Sequence, residues 1–291
     1  MGQHVVLKLV AYHPNNPDKH NLPTILSSIF VVNTATGHLS SIVDGTFLTA
    51  LRTGAASAVA TRYLHSKDAN TLGVVGAGAQ AVSQVHALSR VMSLETVLVY
   101  DVDPATQSNF PRRLGRWIGT KPRVISASLA EVVGKSDVVT TATSVAPGAG
   151  PVMPDLELKA HAHINAVGSD FPGKTELPMS VLKRSLVVPD FIDQALKEGE
   201  CQVLTERDIE LTLCDLVSQP EEYSKYREQL SVFDSTGFAL EDYAVVMLFD
   251  RYAGELNCGT QVNLESIGRD SKNPYDFLNA APTQNKAQSI K

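Results

Sequence analysis

The chain has 291 residues, of which 43% are hydrophobic and 19% charged, and its formal net charge is −6. This composition is typical of a soluble globular protein with one or two domains and excludes a disordered or collagen-like chain. The acidic balance argues against a nucleic-acid-binding protein, and no apolar run reaches the ~18 residues that a membrane span requires. The three cysteines are isolated from one another, which argues against a disulfide framework and favours a reducing, cytoplasmic environment.

The first 64 residues predict two strands and a helix. Residues 5–11 and 25–33 are rich in β-branched side chains and flank a polar loop, which is typical of strands. Residues 46–64 have a helical pattern, and their many small side chains permit close packing against a neighbour.

From about residue 70 to residue 200, short apolar runs alternate with helical segments. The runs lie at residues 71–75, 96–101, 123–126, 137–143, 163–168 and 185–190. Continuous hydrophobicity, without alternation, is typical of strands that are buried on both faces of a parallel sheet. We therefore predict an α/β fold in which residues 56–205 form a doubly wound Rossmann domain that binds NAD.

The two ends of the chain predict a second domain. After about residue 205 the sequence predicts mainly helices, with a strand at residues 230–236 and a strongly apolar, largely buried helix at residues 237–254. We expect residues 1–55 and 206–291 to pair as an α+β domain for substrate binding and dimerisation.

A glycine-rich turn follows the predicted strand 71–75 and reads G-A-G-A-Q-A over residues 76–81. Gly76 allows a tight turn, Gly78 lets the backbone approach a pyrophosphate, and the following helix directs its unpaired N–H groups at the phosphates. Asp101 closes the next strand, where a carboxylate accepts hydrogen bonds from ribose hydroxyls and repels a 2′-phosphate, so NAD is favoured over NADP. The predicted cofactor-binding residues of this region are Gly76, Ala77, Gly78, Ala79, Gln80 and Asp101.

Four motifs carry a resemblance to a known family: LRTGAAS (51–57), GAGAQ (76–80), NAVGSDFPGKTEL (165–177) and VFDSTGFALEDY (232–243). Together they resemble the ornithine cyclodeaminase/μ-crystallin family over about residues 5–278. The last two motifs look most like the ornithine cyclodeaminase branch.

The resemblance implies roles for residues outside the glycine-rich turn. Lys8 and Arg52 would hold the α-carboxylate of a small amino acid, for which the planar fork of arginine is suited, and Thr24 would add a hydroxyl contact. Asp170 would hold the substrate amines and act as the catalytic acid and base. The turn that contains Asp234 and Ser235 would lie beside the nicotinamide.

Each of these residues also has a plainer interpretation when it is taken alone. Lys8 could extend from an apolar strand to solvent, Arg52 could form a surface ion pair, and Asp170 could be a turn residue. His161 and His163 share a face of a predicted strand, but no cysteine or carboxylate stands at ligand spacing, so no metal site is expected.

The resemblance implies an NAD-dependent ornithine cyclodeaminase. Hydride removal at Cα, attack of the distal amine, loss of ammonia and return of the hydride would convert L-ornithine to L-proline. The alternatives are a lysine cyclodeaminase, a related amino-acid or imine oxidoreductase, and a non-catalytic binding protein. The resemblance also implies a homodimer, if the further amino-terminal segment that family members carry is dispensable, because that segment carries strands of the dimerisation domain and, in the ornithine cyclodeaminase branch, residues near the distal amine.

Overall fold

The computed structural model describes residues 3–115, 118–119, 121–155, 157–265 and 267–279. The chain divides into two compact units, Met1–Tyr243 and Ala244–Lys291. Within the described ranges, every helix is too short or too polar to cross a membrane.

The first unit begins with a three-stranded antiparallel sheet in the order β1-β2-β3. Its strands are β1 (His4–Tyr12), β2 (Ile25–Asn33) and β3 (Leu39–Asp44), and the short helix α1 (Asn16–His20) lies between the first two. Strands β1 and β2 match the predicted elements, whereas the short serine-containing β3 was not predicted. The side chain of Asp44 accepts a hydrogen bond from the N–H of Thr46 and so begins the next helix.

A seven-stranded parallel sheet forms the centre of the first unit. Its neighbouring strands all pair in parallel, in the order β6-β5-β4-β7-β8-β10-β9. The strands are β4 (Thr71–Val75), β5 (Thr96–Tyr100), β6 (Arg123–Ser126), β7 (Val138–Thr141), β8 (His163–Ala166), β9 (Leu186–Pro189) and β10 (Ser231–Asp234). The strand order reverses between β4 and β7, which is where sheets of this kind bind ligands at the carboxyl ends of their strands.

Helices cover both faces of this sheet, as the predicted doubly wound fold requires. Two hydrophobic clusters lie on opposite faces of the sheet. Leu72 and Val74, on one face of β4, belong to one cluster, and Val75, on the other face, belongs to the second. After α1, the described residues form the α-helices α2 (Gly45–Leu64), α3 (Ala79–Leu88), α4 (Pro104–Arg113), α5 (Leu129–Lys135), α6 (Met179–Lys183), α7 (Ile192–Glu198), α8 (Leu213–Ser218) and α9 (Ala239–Glu255).

Helix α2 connects the two sheets because it packs against β2, α3, β8 and β10. The packing against α3 is close: a Cβ on Gly54 would lie 2.7 Å from the carbonyl oxygen of Ser83. The small side chains of α2 therefore permit the close packing that the sequence predicts. This packing fixes Arg52, on α2, relative to the parallel sheet.

Two features differ from the sequence-based expectations. The sequence places strand β10 in the second domain, but the strand lies inside the parallel sheet between β8 and β9. Its position depends on pairing with strands that are distant in the sequence.

The apolar helix near the end of the chain is not largely buried, although the sequence predicts that it is. Of the residues in α9 only Val246 is buried, whereas Leu240 is 57% exposed.

The second unit contains the part of α9 from Ala244 onward and a loop region that ends in a 3-10 helix, Asp276–Asn279. The carboxylate of Asp276 accepts hydrogen bonds from the N–H groups of Arg269 and Asp270 and holds this loop in place.

Candidate functional site

The glycine-rich turn has the geometry that its sequence predicts. Gly76 adopts φ 91°, and a Cβ at this position would lie 2.6 Å from the carbonyl oxygen of Ala142, directly after β7. Gly78 is the N-cap of α3, and a Cβ there would meet no atom within 4 Å. The turn therefore lies at the reversal of strand order and leaves open space above the amino end of a ten-residue helix.

Asp101 lies beside this turn, at the carboxyl end of β5. Its carboxylate accepts hydrogen bonds from the N–H of Ala77 (2.7 Å) and from the N–H of Asp103 (2.9 Å). The carbonyl oxygen of Ala77 accepts a hydrogen bond from the guanidinium of Arg113, at 2.5 Å. The second residue of the turn is thus held at both its N–H and its carbonyl group.

The residues present fit a dinucleotide. Besides the helix amino end and the open space at Gly78, Gln80 and Ser235 each contribute a buried polar atom that has no hydrogen-bond partner in the described part of the chain: the side-chain nitrogen of Gln80 and the hydroxyl of Ser235. A buried polar group without a partner is costly, so a ligand that satisfies both atoms is favoured. Gln80 and Ser235 were both predicted to contact the cofactor.

Asp170 follows β8 at the carboxyl edge of the sheet, as predicted. Its carboxylate lies 2.5 Å from the Nζ atom of Lys174. The side chain of Asp170 is 45% exposed, whereas that of Lys174 is only 11% exposed. Lys174 therefore holds Asp170 from the protein side and leaves its other face open to solvent or to a ligand.

Buried carboxylates fix the loops around Asp170. Glu176 accepts hydrogen bonds from the N–H groups of Thr143 and Gly168, at 2.7 and 2.8 Å, and so ties the loops that follow β7 and β8. Glu200 in turn accepts hydrogen bonds from the N–H groups of Glu176 and Leu177. Burial raises the pKa of both Glu176 and Glu200, because desolvation disfavours their charged forms more than these hydrogen bonds favour them.

The side chain of Asp234 binds the backbone of a neighbouring loop. Its two oxygens accept hydrogen bonds from the N–H groups of Glu200 and Cys201, and it is fully buried. Desolvation raises the pKa of Asp234 to about 7. The contact of Asp234 with the cofactor stays a prediction: both of its carboxylate oxygens already hold the loop at Glu200, and in this turn the unpartnered hydroxyl belongs to Ser235.

Lys8 and Arg52 come together around two acids at the start of α9. The carboxylate of Asp242 lies 2.9 Å from Lys8 Nζ and 3.2 Å from Arg52 Nε, and that of Glu241 lies 3.2 Å from Arg52 Nη1. We call these four residues the clamp. Burial lowers the pKa of Lys8, and it raises the pKa of Glu241 to about 7 although Arg52 acts in the opposite direction.

The clamp lies at the carboxyl edge of the parallel sheet. A Cβ on Gly237, in the turn after β10, would lie 2.7 Å from Arg52 Nη2. This turn is anchored by Asp190, directly after β9, whose carboxylate accepts hydrogen bonds from Gly237 N–H and from the hydroxyl of Thr236. Arg52 thus occupies the same edge as the glycine-rich turn and Asp170, and its side chain is only 10% exposed.

Thr24 is not joined to the clamp by a hydrogen bond. It is half-buried directly before β2, and its carbonyl oxygen accepts a hydrogen bond from the N–H of His13. Its proposed contact with a substrate stays a prediction.

Sequence reasoning missed Glu241, Asp242, Lys174 and Asp190. The first three stand inside motifs that carry the family resemblance, so their positions were visible. Acids in the first turn of a helix ordinarily interact with the helix dipole, however, and nothing in the spacing links residues 241 and 242 to Lys8 or Arg52.

The family profile described as "Ornithine cyclodeaminase/mu-crystallin family" matches residues 1–255. The L-lysine cyclodeaminase of Streptomyces rapamycinicus is 40% identical over 276 residues, which are 95% of this chain and 80% of that protein. The ornithine cyclodeaminase of Brucella suis is 34% identical over 240 residues, which are 82% of this chain and 66% of that protein.

Two solved structures are also similar. A lysine cyclodeaminase, studied for its recognition of L-lysine, L-ornithine and L-2,4-diaminobutyric acid, has a TM-score of 0.90 and 47% identity, over 95% of this chain and 79% of that one. An archaeal alanine dehydrogenase dimer with bound NAD has a TM-score of 0.79 and 31% identity, over 90% and 82% of the two chains. The predicted α/β fold and the predicted NAD cofactor agree with these relatives. The chain belongs to the ornithine cyclodeaminase/mu-crystallin family.

Proposed function

We propose that this protein is an NAD-dependent cyclodeaminase of an L-diamino acid, with L-ornithine as the substrate that the sequence motifs favour. The observation that carries the proposal is the meeting of two cations with largely buried side chains, Lys8 and Arg52, on the sheet edge that also holds the glycine-rich turn and Asp170. This edge combines an anion site, a nucleotide site and an acid/base group.

The proposed roles follow from the chemistry of each group. Arg52 and Lys8 bind the α-carboxylate and fix the position of Cα. Asp170 binds the amines and moves their protons, with Lys174 as its partner on the protein side. When bound, NAD supplies hydride acceptance and return. Ring closure is accelerated because the distal amine is held close to Cα, whose position is already fixed.

L-lysine is the second candidate substrate. Similarity to a lysine cyclodeaminase, at 40% identity and in a structure with a TM-score of 0.90, favours it. The two substrates differ by one methylene group, and a pocket discriminates such a difference by only ~1–3 kcal/mol. We therefore expect turnover of both substrates, at different rates.

The test is ammonia release from L-ornithine, L-lysine and L-alanine with catalytic NAD. We expect ammonia and a cyclic amino acid from the diamino acids, with no net change in absorbance at the NADH band. Stoichiometric NADH from L-alanine would instead support an amino-acid dehydrogenase. If none of the three amino acids gives a product, the result would support the alternative of a non-catalytic binding protein.

We also propose that the protein is a homodimer. The archaeal alanine dehydrogenase relative is a dimer, and apolar side chains on one face of β1 are exposed, namely Val5, Leu7 and Leu9 at 56%, 62% and 66%. Exposed apolar surface of this kind is typical of an interface between protein chains.

A further inference from the structure

The guanidinium of Arg52 is already occupied by acids of the same chain. Its Nε atom contacts Asp242, its Nη1 atom contacts Glu241, and its Nη2 atom faces the backbone at Gly237. A substrate carboxylate binds best through two parallel hydrogen bonds to one edge of a guanidinium. Either edge available to such a carboxylate includes an atom that Glu241 or Asp242 now holds.

The charge balance around Arg52 also opposes a further anion. The clamp contributes two cations, Lys8 and Arg52, and two carboxylates, and Asp190 lies close enough to add a third negative charge. If all three acids are ionised, the cluster carries one net negative charge before any substrate arrives. A buried site of this kind attracts a carboxylate only if one acid loses its charge or its place.

Glu241 is the acid that is held least firmly. Asp242 contacts both cations through one oxygen, whereas Glu241 contacts a single cation, Arg52, at 3.2 Å, and the backbone of Phe238. The second carboxyl oxygen of Glu241 is buried without a hydrogen-bond partner in the described ranges. Losing the Arg52 contact therefore costs less for Glu241 than for Asp242.

We propose that Glu241 is an internal competitor of the substrate α-carboxylate for Arg52, and that it leaves Arg52 and takes up one proton from solvent when the amino acid binds. The proposal rests on the proposed function in one respect, the binding of an α-carboxylate by Arg52. Glu241 thereby sets the affinity for the substrate and couples it to pH.

The electrostatics of Glu241 support this role. Burial raises its pKa to about 7, and the neighbouring charge of Asp190 acts in the same direction. The charged groups that face it are Arg52 from α2, Lys8 from β1, Asp190 after β9 and Asp242 on its own helix. Below pH 7 Glu241 is already protonated, so binding takes up no proton. Above pH 7 binding takes up as much as one proton, and affinity falls by up to tenfold per pH unit.

The test measures binding without turnover. NADH-loaded protein is titrated with L-lysine and L-ornithine in a calorimeter, at pH 6 and pH 8, in two buffers with different heats of ionisation. The difference between buffers counts the protons that binding takes up. We expect uptake approaching one proton at pH 8 and little at pH 6, with affinity at least fivefold weaker at pH 8.

The Glu241→Gln variant keeps the shape of the side chain but not its charge. We expect it to bind at pH 8 as tightly as the wild type does at pH 6, without proton uptake. Asp242→Asn removes the other acid of the clamp and should keep the proton uptake at pH 8, because Glu241 is still present. Glu255→Gln, at the exposed end of α9, is the matched control and should resemble the wild type.

The possible outcomes distinguish a failure of the competitor role of Glu241 from a failure of the proposed function. If the wild type binds amino acids without proton uptake at pH 8, or if Glu241→Gln binds more weakly, the competitor role is wrong while the proposed function stands. If the wild type binds neither amino acid, the proposed function fails and the inference fails with it. Because the proton count comes from the wild type, the test does not depend on the folding of a variant.

Discussion

Asp170 is paired with Lys174, and its proposed role can be tested by a substitution. We expect Asp170→Asn to reduce turnover of L-ornithine at least a thousandfold and to change NADH affinity less than twofold, since an amide cannot carry the proton but fills the same space. The measurements are ammonia release and NADH fluorescence titration. Asp193→Asn, an exposed acid on α7, is the control. Near-normal turnover by Asp170→Asn would remove this residue from the mechanism.

The raised pKa of Asp234 predicts how stability depends on pH. An unfolded aspartate titrates near its ordinary value of 3.8, whereas folded Asp234 keeps its proton up to about 7. Between these values the folded state binds more protons than the unfolded state. The Asp234 contribution to the free energy of unfolding is therefore complete below pH 3.8 and is lost as pH rises to 7, by at most ~1.4 kcal/mol per pH unit.

Urea unfolding at several pH values between 4 and 7.5 tests this expectation. Asp234→Asn should have a flatter pH dependence than the wild type, because one titrating group is removed. Equal slopes for the two proteins would show that Asp234 is ionised in the folded state throughout this range.

At the scale of elements, the turn between β4 and α3 depends on space as well as on backbone conformation. Gly76 and Gly37 both have positive φ, at 91° and 74°, so alanine should cost each about 1–3 kcal/mol of stability. Only Gly76 faces a close neighbour, the carbonyl of Ala142, whereas nothing lies within 4 Å of a Cβ on Gly37.

We therefore expect Gly76→Ala to weaken NADH binding at least tenfold and Gly37→Ala to leave it unchanged. Thermal unfolding and NADH fluorescence titration measure the two effects on each variant. If both variants lose NADH affinity, or if neither does, the close approach at Gly76 is not what binds the cofactor.

At the scale of the whole molecule, the exposed face of β1 predicts how the chain assembles. We expect the wild type to sediment as a dimer and Leu7→Lys to shift it towards the monomer, because a charge would enter an apolar interface. Leu22→Lys changes a leucine that is 47% exposed in a loop and serves as the control. A monomeric wild type, or a dimer that persists in Leu7→Lys, would contradict this assignment.

The sequence was sufficient to predict the parallel sheet and the glycine-rich turn because both are encoded locally, in apolar runs and in the residues of one turn. It did not place β10 in that sheet, since strand order depends on pairing between residues such as Phe233 and Asn165. It did not reveal the acids of the clamp either: Lys8 and Asp242 are 234 positions apart. Contacts of this length leave no periodicity in the sequence.

We propose that Lys8 and Arg52 hold an amino acid by its carboxylate on the sheet edge where NAD binds. A crystal structure of the protein with NADH and L-lysine provides the decisive test. We expect the α-carboxylate within hydrogen-bond distance of both Lys8 Nζ and the Arg52 guanidinium, Glu241 displaced from Arg52, and Cα facing the nicotinamide. An amino acid bound elsewhere, with Arg52 still paired to Glu241 and Asp242, would contradict it.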